Sequence, residues 1–179
     1  MSETSAAYRA LVEIAQRSRA NARGLPEQEE ATVQWSGVGF TLDSRKYVVP
    51  MGEVSEILEM PRFTQVPGVK GWVKGVANVR GRLMPIMDLM MFLNRQSGLQ
   101  SKRRRLLVLE RGELYSGLIV DEVLGMQHFS VDWYTDEIPT RYRDTQIYLK
   151  GGYQQDSEFW AVFSLFTLAR DPRFLDVAS

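Results

Sequence analysis

The sequence predicts a mostly-β protein, built as a small barrel or a pair of barrels, for three reasons. Stretches with a two-residue apolar period recur at short, near-regular intervals. Glycine or proline punctuates the gaps between them. No helical pattern alternates with them in the way a parallel α/β sheet requires. With 179 residues, 44% hydrophobic and 25% charged, the chain is large enough to bury a full core without staples.

Residues 1–30 read as a helical extension and linker. Ser5 can cap a helix, Ala7, Leu11, Ile14 and Ala15 recur at helical spacing, and Arg17, Arg19 and Arg23 suit its C-terminal end. Gly24 and Pro26 stop it, and Glu27 to Glu30 form an acidic linker. The main body is expected over residues 31–170. Val38, Phe40 and Leu42 alternate as a strand, Asp43 to Lys46 have turn chemistry, and Tyr47 to Val49 return until Pro50 breaks the ladder. Gly52 to Leu58 is short and amphipathic, and Pro61 and Pro67 mark an irregular connection. Gly75 to Val79 and Arg82 to Met87 read as a hairpin about Arg80-Gly81, where Gly81 can take positive φ without a Cβ penalty. Asp88-Leu89 closes that unit, with a helical turn expected over Met90 to Leu93 and a polar loop over Ser97 to Arg105. Leu106 to Glu110 and Leu114 to Val120 make a second hairpin, continued after a kink by Asp121 to Met126. A long loop is expected from Ser130 to Gln146, then strands at 147–149 and 159–165. The end of the chain, from Phe166 to Val177, reads as a short helix broken by Pro172, with 171–179 as a tail.

The chain is poor in catalytic material. His128 is its single histidine, which excludes histidine-pair metal sites and leaves a loop residue as the plain reading. It has no cysteine, so disulfides, thiolate nucleophiles and Cys-ligated zinc are out. Asp88 and Asp121 each follow an apolar strand. They form a conceivable acid–base pair, but a strand-end aspartate accepting backbone N–H groups explains them more simply. Gly68, Gly71, Gly75 and Gly81 open no helix in the register a phosphate loop needs. The Lys102–Arg105 run alone suggests nucleic acid, as an RNA-binding barrel would. The balance of 22 basic and 22 acidic side chains supplies no field for it. No run approaches the ~18 apolar residues of a spanning helix, so no membrane insertion is expected and the cytoplasm is the default compartment. No cofactor is expected. Two features point to association instead. Met84, Met87, Met90 and Met91 suit a surface that repacks against partners, with core filling as the competing reading. Glu56 and Arg80 can pair, a turn guanidinium forking onto a carboxylate so as to orient an interaction surface.

The stretch Val66-Pro67, then Lys74 to Leu89 with its Gly75-Val76-Ala77-Asn78-Val79-Arg80-Gly81 and Pro85-Ile86-Met87-Asp88-Leu89, resembles the hallmark of CheW-like coupling proteins. Phe40 to Val49 with Val54-Ser55-Glu56-Ile57, Gly117 to Val123, Tyr148 to Gly151 and Phe159 to Leu165 resemble the family's other blocks, in order, over residues 35–168. The resemblance implies two small SH3-like five-stranded barrels sharing an apolar core. It implies a non-enzymatic adaptor that binds the regulatory domain of a chemotaxis-type histidine kinase and the cytoplasmic tip of a chemoreceptor, and so is recruited to membrane-associated arrays. It places Val54, Glu56 and Ile57 near the receptor-binding groove, with Arg80 paired to Glu56 and supported by Asn78 and Gly81. Three features depart from the pattern: the N-terminal helix, the aromatic and arginine-rich 130–146 segment, and Ser164 where an aspartate is usual. With the methionine block, they look like the homologues of type IV pilus systems that control twitching motility. A flagellar chemotaxis array is the alternative.

Overall fold

The computed structural model describes residues 33–96 and 102–179. The helix and linker expected over residues 1–30, and positions 97–101 of the basic loop, lie outside the described residues. Eleven strands are described: β1 (Gln34–Leu42), β2 (Arg45–Pro50), β3 (Glu56–Glu59), β4 (Val73–Val79), β5 (Arg82–Asp88), β6 (Arg105–Arg111), β7 (Leu114–Val120), β8 (Glu122–Ser130), β9 (Tyr134–Thr135), β10 (Leu149–Gln155) and β11 (Glu158–Phe163). The protein is mostly β, with two SH3-like units.

One sheet has the order β8-β1-β2-β11-β10-β9 and the other β3-β6-β7-β5-β4. The first five positions of the six-stranded order match the five-stranded order one by one, and β9 is an addition at its end. Each sheet has a central hairpin (β1–β2 and β6–β7) whose second strand runs parallel to the last strand of another hairpin (β10–β11 and β4–β5). The outer partner of each central hairpin is exchanged. After β2 the chain crosses to form β3 at the edge of the five-stranded sheet, and after β7 it crosses to form β8 at the edge of the six-stranded one. No sequence repeat announces this internal duplication.

Local chemistry explains the turns. Asp43 and Ser44 have φ of 52° and 61°, and Arg80 and Gly81 of 54° and 81°. Two successive positive-φ residues between facing strand ends make the tight turn whose twist suits a hairpin. Asp121 Oδ2 accepts the Asp43 N–H at 2.7 Å and so steadies the first turn.

Burial splits by strand face. Along β6, Leu107 and Leu109 face a large cluster between the sheets, while Leu106 and Val108 face the interior of the five-stranded unit with Met84, Ile86 and Ile119. Along β11, Phe159, Ala161 and Phe163 join the shared cluster, whereas Trp160 and Val162 join Val48, Phe129 and Tyr153 inside the six-stranded unit. Strands with both faces covered read as unbroken apolar runs rather than alternating ones. Each unit therefore has its own small core, and a larger core lies between them.

Several expectations need correction. Met84, Met87 and Met90 are buried and Met91 half-buried, so the methionine block is core filling, where a flexible thioether fits irregular space. The Gly52–Leu58 segment splits into a 3-10 turn (Met51–Glu53) and β3. The kinked continuation after Asp121 is a full strand reaching Ser130, so His128 lies on a strand and not in a loop. The 130–146 segment holds β9 and two 3-10 stretches, Val131–Trp133 and Thr140–Tyr148, anchored by buried Tyr142 and Thr145. The Tyr142 hydroxyl shares its one proton between the carbonyls of Lys46 and Phe159, at 3.1 and 3.0 Å, and this contact pins the segment down. The strand expected at 147 begins at Leu149, and Phe163 ends the last one. The helical turns are α1 (Leu89–Phe92), α2 (Leu165–Leu168) and α3 (Pro172–Leu175). Pro172 starts α3 because a missing N–H costs nothing in a first turn. Within the stretch read as a tail, Phe174 is buried and stacked at 5.8 Å on Trp72.

Candidate partner-binding surface

β3 and β4 are opposite edges of the five-stranded sheet, yet residues associated with them meet. Thr64, beyond β3, exchanges two backbone hydrogen bonds of 2.9 Å with Val76 of β4. Arg80, in the β4–β5 turn, forks onto Glu56 of β3, with Nη1 donating to Oε2 at 2.9 Å and Nη2 to Oε1. The sheet has curled until its edges touch, and the Glu56–Arg80 pair sits on the seam. Next to it, Arg82 Nη1 donates to Glu110 Oε1 at 2.8 Å, with its guanidinium 3.8 Å above the Tyr115 ring. Asn78 Oδ1 accepts the Gly81 N–H at 2.8 Å and holds the turn that aims Arg80. A Cβ at Gly81 would meet no neighbour, so the glycine answers to its backbone angle and not to crowding.

The sequence-predicted residues thus come together in one region, but they are not equally available. Arg80 is 73% exposed and Glu56 29%. Ile57 points outward, Asn78 is exposed, and Val54 is half-buried against the shared core. The arrangement has the form of a docking face: a fixed ion pair with an aliphatic side chain beside it.

The acids that invited a catalytic reading are otherwise engaged. Asp88 caps α1, accepting the Met91 N–H at 3.1 Å. Asp88 and Asp121 share Arg104, at 3.6 and 4.0 Å, so two carboxylates converge on one guanidinium whose single positive charge they divide. This also reassigns the basic run. Arg104 is an interior counter-charge, Arg103 faces Glu122 at 3.7 Å, and Arg105 donates to the carbonyls of Lys102 and Arg104. His128 Nδ1 lies 2.7 Å from Ser36 Oγ, its partner across β1 and β8. Among the described residues, no group of three or more His, Asp or Glu side chains could hold a metal ion.

Sequence reasoning missed Glu53. This carboxylate is buried, at 6% exposure, in the crossover between the units. It accepts from Ser164 Oγ at 3.1 Å and the Phe166 N–H at 3.2 Å, with Lys150 Nζ at 3.7 Å. Ser164 meanwhile caps α2, as Asp88 caps α1 at the matching place in the other unit. Ser164 can donate to the buried acid while capping, which an aspartate ionised at neutral pH cannot. The one available signal was the Ser164 departure from the family pattern. At the C-terminal corner, hydrogen bonds from Arg173, with that of the Tyr148 hydroxyl, hold the Asp171 carboxyl at about 2, below its ordinary 3.8. Burial, with the Asp171 contact, pushes the Tyr148 hydroxyl up.

Comparison with known proteins gives one consistent result. The CheW-like domain family matches residues 36–173. Protein PilI of Pseudomonas aeruginosa is 51% identical over 178 residues, 99% of each chain, so the likeness includes the N-terminal stretch that the family match leaves out. Chemotaxis protein CheW of Helicobacter pylori is 28% identical over 58% of this chain and 62% of its own. Protein FrzA of Myxococcus xanthus is 30% identical over 51% of this chain and 58% of its own. The crystal structure of scaffolding protein TtCheW from Thermoanaerobacter tengcongensis aligns with a TM-score of 0.66 at 20% identity, over 81% of this chain and 99% of that one.

Proposed function

This chain belongs to the CheW-like family of non-enzymatic coupling and scaffold proteins, and on that premise we propose that it joins the cytoplasmic tip of a methyl-accepting chemoreceptor to the regulatory domain of a chemotaxis-type histidine kinase. The pathway it serves is the control of type IV pili and twitching motility. The 51% identity to PilI over nearly the whole of both chains supports the pilus assignment. Among the described residues, no helix is long and apolar enough to cross a membrane. The protein works in the cytoplasm and reaches the membrane by binding receptors already gathered there. Residues 1–30 form an extension to the CheW-like body, and no cofactor takes part.

The observation that carries this reading is the Glu56–Arg80 fork at the closed edge of the five-stranded unit, with Ile57 exposed beside it. Affinity at such faces comes from a few well-packed anchors, and transient interfaces need only roughly 1,200–2,000 Å² in total. The receptor tip takes this seam, and the kinase domain takes another face.

The test is a capture experiment with purified receptor and kinase fragments on Ile57→Asp and Val54→Asp, with circular dichroism as the fold control, since Val54 is half-buried. Receptor capture is expected to fall more than kinase capture. Equal loss of both in a folded protein refutes separate surfaces. Deleting the gene and scoring twitching against swimming decides the pathway, and a purely swimming defect moves it to a flagellar array.

A further inference from the structure

The six-stranded sheet ends in β9, two residues long, paired to β10 on one side and open on the other. The 3-10 turn Val131–Trp133 leads into it, and Val131, Trp133 and Tyr134 are exposed, the two aromatics at 43% and 44%. Tyr134 is nonetheless firmly held. Its hydroxyl donates to Asp136 Oδ1 at 2.7 Å and lies 3.3 Å from the Lys150 carbonyl, and its ring stands edge-on to Tyr153 at 5.6 Å. Gly151, at φ 68°, makes room for it, since a Cβ there would sit 2.5 Å from the Tyr134 hydroxyl oxygen. Tyr153 in turn stacks on Phe129 at 4.8 Å and Trp35 at 5.1 Å, so the platform rests on an aromatic column.

Around this platform Asp132, Asp136 and Glu137 are exposed. Among the described residues, none of the three has a cation within ion-pair distance. The nearby cations are turned elsewhere, Lys150 toward Glu53 and Arg141 over the Tyr142 ring. A rigid aromatic surface ringed by unneutralised carboxylates, beside an open strand edge, is complementary to a chain that is extended, positively charged and apolar on alternate residues.

We propose that Val131 to Glu137 is a docking site for an extended basic segment of a protein partner. Apolar side chains of that segment rest on Trp133 and Tyr134, its Lys or Arg groups face Asp132, Asp136 and Glu137, and its backbone pairs along β9. The site lies on the six-stranded unit, whereas the Glu56–Arg80 seam lies on the five-stranded one, so it does not depend on the receptor–kinase reading.

The test titrates the full chain with a synthetic peptide of alternating lysine and leucine, using an alternating glutamate–leucine peptide as control. Trp fluorescence and backbone amide shifts are the readouts. The chain carries 22 charges of each sign, so no net field attracts a basic probe unspecifically. Saturable binding is expected for the lysine peptide alone, weakening as salt rises, with shifts centred on 131–137. Affinity should fall roughly tenfold in Trp133→Ala and again in an Asp132→Asn, Asp136→Asn, Glu137→Gln triple variant. Gly151→Ala, which displaces the Tyr134 ring, should weaken it too. Equal affinity in folded wild-type, Trp133→Ala and triple variants overturns the proposal, as do shifts centred on the Arg80 turn. Concentration-dependent self-association of the wild type that Trp133→Ala abolishes overturns it as well, because the occupant is then a second copy.

Discussion

Replacing Arg80 with alanine separates orientation from stability at the seam. The fork to Glu56 is bidentate, but Arg80 is 73% exposed and Glu56 29%, so water and salt screen much of the attraction. Exposed pairs of this kind contribute about 0.2–1 kcal/mol. Arg80 sits at φ 54°, and alanine would inherit the same left-handed backbone, so the turn itself changes little. For a chain of this length, 1 kcal/mol moves the unfolding midpoint by about 2–4 °C, so Arg80→Ala should lower it by no more than about 4 °C. Partner capture should suffer more. On the proposed docking at this seam the same guanidinium is a desolvated anchor, and truncating such an anchor costs about 2 kcal/mol, roughly thirtyfold in affinity. Differential scanning fluorimetry and biolayer interferometry with a receptor fragment measure the two effects on one preparation. Glu56→Ala should match, and the double variant should lose little beyond either single one. A midpoint fall of more than about 10 °C would show that the pair holds the barrel shut, and undiminished capture would remove it from the interface; either result refutes the reasoning.

Two further outcomes test the architecture. Leu107 is fully buried in the cluster between the sheets, so Leu107→Ala should lose about 2–5 kcal/mol in denaturant unfolding. A loss below about 1 kcal/mol contradicts a shared core at that position. The Asp171 carboxyl sits at about 2 in the folded chain, against 3.8 ordinarily, because Arg173 and Tyr148 donate to its ionised form. A depressed value means that the folded state binds its proton less readily than the unfolded chain. The stabilisation is therefore complete above about pH 4 and lost as pH falls toward 2. Asp171→Asn should flatten the acid limb of the stability curve between those values. An identical limb in variant and wild type would contradict the pairing.

Much of the candidate site was legible because it is local. The Arg80-Gly81 turn announces itself through the glycine and the flanking strand period, and Asn78 three residues upstream suits a side chain that accepts the turn N–H. Even the Glu56–Arg80 pair, 24 residues apart, could be anticipated from the fit of a fork to a carboxylate. The methionine block was less readable. Apolar residues look alike in sequence whether they face a partner or a second core, and only the exchange of β3 and β8 creates a second core for strands that a lone sheet would leave half exposed. Arg104 looked like a solvated loop charge because its partners, Asp88 at the end of β5 and Asp121 just after β7, are brought together only by the fold.

By itself the sequence determined the central strands and the tight turns at Asp43-Ser44 and Arg80-Gly81, which depend on neighbours within a few residues, while its single histidine and lack of cysteine favoured association over acid–base work. Tertiary structure alone decided which face of each strand is interior, that Glu53 is a buried acid satisfied by Ser164 and the Phe166 amide, and that Trp133 and Tyr134 remain exposed on a held platform. Those properties depend on groups far apart along the chain. Whether a carboxylate is costly or satisfied, or an indole core or surface, is settled by what packs around it, and that environment exists only once the two sheets have exchanged strands and closed on each other.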